Sequence, residues 1–230
     1  MICRIANVFL SQGIKRGDVV AIYLPICPLA VATMLACARI GVIHSVIFAG
    51  FSSNAIAARV QDANAVAIVT ANEGKYLGMA TAAQRLFVRK ILSSSYSCAD
   101  FLSRPNFLIG VRGNKRISLR KTVNEALKNN SCPSIKNIFV VNRTDAKEYI
   151  QPNDIMLEQE MENSSTKCDP EVMNSEDLLF ILYTSGSTGT PKGVAHSTAG
   201  YLLYAAFTQK YVFGYEDNSD IFGCVADIGM

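Results

Sequence analysis

The residues YTSGSTGTPKGV, Tyr183 to Val194, set Thr184, Ser185, Ser187 and Thr188 and the glycines Gly186, Gly189 and Gly193 around a single cation, Lys192. Hydroxyls and closely approaching backbone N–H groups form a nest for phosphate oxygens, and a lysine adds a point charge for the same anion. The spacing is not that of a Walker-type loop. Counting from Gly186, Pro191 stands where the second glycine belongs, and Gly193 follows the lysine in place of a metal-binding hydroxyl. Pro191 also keeps a helix from running through the loop. The pattern predicts a phosphate grip of another design, set against the alternative of a ligand-free Ser/Gly-rich surface loop.

Little else in the chain has the spacing of a reactive centre. His44 and His196 are the only histidines, and neither has cysteine or carboxylate partners at zinc spacing, so both are expected to be packed or solvated and no metal site is expected. The seven cysteines include no CxxC pair and are odd in number. They are expected to be buried, reduced thiols, as in the cytoplasm or the mitochondrial matrix. A net charge of +3 without a Lys/Arg run or interleaved aromatics excludes nucleic acid and anionic membranes as expected partners and leaves small anions open.

Positioning such a loop requires a framework, and the apolar runs describe one. Runs at Val19–Leu24, Val42–Phe48, Ala65–Thr70, Ile135–Val141, Leu178–Tyr183 and Ile221–Ala226 read as strands. Helical patterns fall at Leu29–Ile40, Ser53–Asp62, Leu119–Lys128 and Ala199–Tyr211. Continuously apolar strands alternating with helices predict an α/β fold, a mostly parallel sheet flanked by helices. The uncharged stretch Val19–Ala38 has bilayer-spanning length, but Pro25 ends a strand and Pro28 suits the first turn of a helix, so it reads as two buried elements. The opening MICRIANVFL lacks a basic n-region and a small-residue cleavage site and is not expected to be a signal peptide; Ile2, Ile5, Val8 and Phe9 are expected to share one face of an amphipathic helix. From Asn142 to Asp177 the chain turns polar, predicting a surface connection with one short helix near Ile155–Met161.

Taken whole, YTSGSTGTPKGV resembles the signature loop of the adenylate-forming enzymes, which closes over the β- and γ-phosphates of ATP while a carboxylate attacks the α-phosphate. The resemblance implies that Thr184, Ser185, Gly186, Ser187, Thr188 and Gly189 cradle the pyrophosphate leaving group and that Lys192 is catalytic. The flanking strings LLFILY and HSTAGYLLYAAFTQKYVFGYEDNSDIFGCVADIG are similar to those of the acetyl-CoA synthetases, as are VAIYLPICPLAVATMLACARIGVIHSVIFAGFSSNAIAARVQDANAVAIVTANEG and VRGNKRISLRKTVNEAL. That resemblance implies an acetate–CoA ligase using ATP and CoA, with magnesium held by residues beyond this sequence. It also implies that Phe48, Ala49 and Gly50 line the CoA path and that Arg112, Gly113, Asn114 and Lys115 meet CoA phosphates. Ala49 and Lys115 depart from the more frequent Gly and Arg, so the phosphate contact is expected to be a point charge rather than a planar fork.

The resemblance also sets expectations about what is interrupted and what is missing. Residues 75–110 fit neither the family pattern nor the usual short connection, and carry Lys75, Arg85, Arg89, Lys90 and Arg104 against Asp100. Deleting them joins TANEG to VRGNKR. Gly74-Lys75-Tyr76 can be encoded with a consensus splice donor and Phe107–Gly110 with a T-rich tract ending in AG, so the segment reads as a retained intron. The chain is expected to be an incomplete N-terminal AMP-binding domain without the small C-terminal domain, inactive alone and exposing surface a larger fold would cover. The alternatives are a propionate or other short-chain ligase and a non-catalytic fragment.

Overall fold

The computed structural model describes residues 1–76, 115–184 and 191–216. Helix α1 (Ile2–Ser11) turns Ile5, Ala6, Val8 and Phe9 inward. Strand β1 (Val19–Tyr23) follows, then α2 (Pro28–Arg39), whose Pro28 occupies the first turn, where its missing N–H leaves no bond unmade. Strand β2 (Ile43–Val46) leads to α3 (Ser53–Asp62), capped by the Ser52 hydroxyl, which accepts the Ala55 N–H. Strand β3 (Ala67–Ala71) is buried at every residue, as a strand covered on both faces must be.

A two-stranded antiparallel ribbon of β4 (Gly74–Tyr76) and β5 (Lys115–Ile117) precedes α4 (Leu119–Ala126), capped by Ser118. The main sheet gains β6 (Asn137–Val141) and β7 (Ile155–Met156), which runs directly into α5 (Leu157–Glu162). It finishes with β8 (Leu178–Thr184) and β9 (Lys192–Ser197), followed by α6 (Thr198–Phe207) and a π-turn over Thr208–Val212.

The seven strands lie in the order β7-β6-β3-β1-β2-β8-β9, all parallel except β9. From β1 the chain steps one way to β2 and then back across β1 to β3. Right-handed crossovers therefore put α2 on one face and α3 on the other. Helices α1, α2 and α5 pack together, as do α3 and α4. The core centres on β1 and β3, with Phe9 of α1 against Phe139 of β6 at 5.0 Å between ring centroids.

Several expectations are refined. The polar stretch 142–177 is not only a surface connection: it contributes β7 to the sheet, and the helix foreseen from Ile155 begins only at Leu157. The segment after Pro191 is a strand rather than a free loop. KGVAHS has little intrinsic strand character, and pairing with β8 is what extends it. Cys27, Cys37 and Cys132 are buried as expected, but Cys3 and Cys168 are only half-buried, and all five are free. The run Ile221–Ala226 and all but the first two residues of 75–110 lie outside the described residues. Among the described residues, no helix is long and apolar enough to cross a membrane.

Candidate functional site

In a parallel sheet the carboxyl ends of the strands share one edge, and ligands bind outside that edge where the strand order reverses. Strands β2 and β8 are hydrogen-bonded neighbours there, so the turn after β2 and the hairpin after β8 leave the sheet side by side. The hairpin closes on Thr184 opposite Lys192, the last pair of its ladder, with both residues exposed. Between them Ser185, Gly186, Ser187, Thr188 and Gly189 lie outside the described residues. The geometry thus places the hydroxyl of Thr184 and the cation of Lys192 at the two feet of one loop.

One residue earlier, Tyr183 faces Gly193 across the ladder. A Cβ on residue 193 would sit 3.2 Å from the Tyr183 Cε1 and Cζ atoms, so this glycine is where the tyrosine ring rests. The Tyr183 hydroxyl donates to Asp62 Oδ2 at 2.6 Å. Burial, reinforced by that carboxylate, pushes its pKa well above the ordinary phenol value. Arg59, one turn before Asp62 on α3, is only 7% exposed, and burial pulls its pKa below the usual guanidinium range. Its guanidinium lies 5.5 Å from the Tyr183 ring centroid and 4.4 Å from that of Phe51, and it donates from Nη1 to the Ala55 carbonyl.

The turn after β2 is held from beneath. The Tyr23 hydroxyl reaches the carbonyls of Ala49 and Phe51, each at 3.2 Å, and burial pushes this phenol up to about 12. Ala49 is itself buried, whereas Gly50 is exposed and Phe48 half-buried. Phe48 and Phe51 meet edge to face at 5.5 Å. A Cβ at Gly50 would come within 2.5 Å of Phe48 Cε1, so any side chain there would have to push that ring aside.

The third predicted element follows β3. Asn72 satisfies its whole amide: Nδ2 donates to the carbonyls of Thr144 and Ala146, and Oδ1 accepts the N–H groups of Glu73 and Arg143. This pins the chain as it enters the β4–β5 ribbon, where the backbone of Lys115 pairs with Tyr76. Arg112, Gly113 and Asn114 lie outside the described residues. Among the described residues no group of three His, Cys, Asp or Glu side chains is placed to hold a metal ion.

Comparison with known proteins decides the family. A family model described as "AMP-binding enzyme" matches residues 1–230. The chain belongs to the AMP-binding enzyme family. It is 46% identical over 227 residues to "Acetyl-coenzyme A synthetase 2-like, mitochondrial" of Homo sapiens, covering 99% of this chain and 27% of that protein. It is 45% identical over 229 residues to an acetyl-coenzyme A synthetase of Yersinia pseudotuberculosis, covering 99% of this chain and 29% of the relative. Among solved structures, "Acetoacetyl-CoA Synthetase from Streptomyces lividans" superposes with a TM-score of 0.76 at 20% identity, over 100% of this chain and 29% of that one. That likeness shows the fold. This AMP-binding chain therefore spans less than a third of the length of the relatives it matches.

Of the residues that matter in this AMP-binding chain, Tyr183 opens the signature string, whereas Arg59 and Asp62 carry no motif signal of their own. The available hint is Arg59 between Ile56 and Val60 on the buried side of α3, a charge set among apolar neighbours. Such a charge is nearly always engaged.

Proposed function

We propose that this chain is the phosphate-gripping part of an AMP-forming acetate–CoA ligase. In the reaction, an acetate oxygen attacks the α-phosphorus of ATP, the bond to the β-phosphate oxygen breaks, and pyrophosphate leaves. The CoA thiolate then attacks the carbonyl carbon of acetyl-adenylate and AMP departs. AMP is a far better leaving group than hydroxide, which is why activation is worth an ATP.

The observation that carries this reading is the pairing of Thr184 with Lys192 at the feet of the hairpin, on the carboxyl edge of the sheet. There the lysine cation and the loop's donors would neutralise charge as it accumulates on the departing pyrophosphate, without reorganising during the step. The names of the relatives support acetate as the acid and CoA as the acceptor. The turn Phe48–Gly50 and the segment Arg112–Lys115 would face CoA, with Arg112 and Lys115 meeting its phosphates. A propionate or other short-chain acid in place of acetate is separated by its relative turnover.

A second reading has an observation of its own: taken alone, the chain is a non-catalytic fragment. Helix α6 buries none of its residues, and Leu202, Leu203, Tyr204 and Phe207 stand exposed, Leu203 at 74%. Large apolar side chains left exposed together on one helix mark surface meant to be covered. Acetate-dependent pyrophosphate release, measured on the 230-residue chain and on a full-length ligase containing it, separates the two. Turnover is expected from the longer protein only; turnover by the 230-residue chain overturns the proposal that it is inactive alone.

A further inference from the structure

Two loops leave adjacent strands, and a single side chain of α3 touches the base of both. Arg59 has its guanidinium 4.4 Å from the Phe51 ring centroid, at the end of the turn after β2, and 5.5 Å from that of Tyr183, the residue before Thr184. Phe51 in turn meets Phe48 edge to face. Tyr183 is fixed on its other sides by Asp62 and by the bare backbone of Gly193. Arg59 cannot swing away freely, because its Nη1 is tied to Ala55 within its own helix and the residue is almost wholly buried.

We infer that Arg59 is a positioning residue that clamps the turn Phe48–Phe51 to the base of the Thr184–Lys192 hairpin, so that the two loops hold one relative placement. The physical basis is the planar guanidinium. A delocalised, weakly hydrated cation can stack its flat faces on two aromatic rings at once, whereas a lysine ammonium is a compact, strongly hydrated point charge and an apolar side chain brings no cation–π attraction. Within the proposed ligase, the turn faces CoA and the hairpin faces the phosphates of ATP. The clamp would then set the distance between the site of thiol attack and the site of adenylation, and its significance for catalysis rests on that proposal. Its existence as a mechanical link does not.

Hydrogen exchange on the full 230-residue chain tests the link without any ligand. Arg59→Met is expected to speed exchange of amides 49–52 and, together with them, of amides 183–184 and 192–194, by about tenfold or more, leaving β1 amides 20–22 and β3 amides 67–69 unchanged. Arg59→Lys, which keeps the charge without the planar fork, is expected to accelerate the same two groups. Phe51→Leu, which leaves Arg59 in place, is expected to loosen the hairpin amides at a distance. Acceleration of only one loop, of neither, or of the core strands equally overturns the inference. ATP added to an unsubstituted full-length ligase containing the chain tests the other reading separately. If amides 192–194 gain no protection while the coordinated acceleration in the variants persists, the phosphate assignment falls and the clamp stands.

Discussion

Tyr183 and Gly193 face each other one pair below the foot of the hairpin, and the tyrosine ring occupies the space a side chain on residue 193 would need. A Cβ there would also lie 3.1 Å from Ile181 Cγ2. Gly193→Val is therefore expected to displace the ring from Asp62 and to cost about 1–3 kcal/mol, in the range of overpacking. Urea unfolding provides the measurement. In a Tyr183→Ala background the same substitution should cost less, because the ring no longer competes for the volume and only the Ile181 contact remains.

His44 on β2 supplies a pH dependence. It is 6% exposed, its Nδ1 has no hydrogen-bond partner among the described residues, and it stacks on Phe180, which stacks in turn on His196. Burial lowers its pKa from 6.5 to about 4. The folded state holds this imidazole neutral while the unfolded chain protonates it. Its contribution is thus complete above about pH 6.5 and is lost as pH falls through about 4. The loss attributable to this group is roughly 3 kcal/mol. Comparing urea midpoints of the parent chain and His44→Phe between pH 7 and 4 isolates it, the variant being expected to show the shallower decline.

Arg120 and Asp154 form a buried two-pronged ion pair, with both contacts at 2.7 Å and both side chains 2% exposed, and Asn124 completes the guanidinium's partners. Arg120→Ala strands a buried carboxylate and should cost about 3–5 kcal/mol, whereas Arg120→Met combined with Asp154→Leu should recover most of that loss. Thermal unfolding of the single and paired variants checks the asymmetry. Equal losses in both would show that the pair matters for more than mutual charge compensation.

The β4–β5 register predicts the effect of removing residues 75–110. Gly74 faces Ile117, Lys75 faces Arg116 and Tyr76 faces Lys115. In the shortened chain, Val111 would take the place opposite Arg116 and Arg112 the place opposite Lys115. Gly113–Asn114 would become a two-residue turn of a composition that suits primed hairpin turns. Shortening the closure should stabilise the fold by ~2 kcal/mol. Circular dichroism and urea unfolding of the two chains are the measurement, and a lower midpoint in the shortened chain would contradict the retained-intron reading. Transcript sequencing addresses the same point from the gene: a message that keeps these codons in most copies refutes it.

Much of this framework is legible because local and global signals agree in it. Ser53–Asp62 is bounded by its serine cap and Pro28 opens α2, each a local chemical preference that the tertiary structure also needs. Strands β7 and β9 escape such reading for a physical reason. Two residues carry no periodicity, and Lys192–Ser197 is a strand only because β8 offers it a partner. At the site, the hydroxyl-and-glycine pattern marks a loop, and its hairpin form comes only from the pairing of β8 with β9. The groups that hold it, Arg59 and Asp62 from a helix more than a hundred residues earlier in the chain, meet Tyr183 only through the fold.

The most direct test concerns Lys192. In the proposed full-length ligase, acetate-dependent exchange of pyrophosphate into ATP should fall by about 10²–10³-fold in Lys192→Ala, the scale of losing one preorganised charge-stabilising group, with the unfolding midpoint unchanged. An exchange rate within about twofold of the parent enzyme, too small a change in barrier for a group that stabilises the transition state, would contradict the assignment of the hairpin to the departing pyrophosphate.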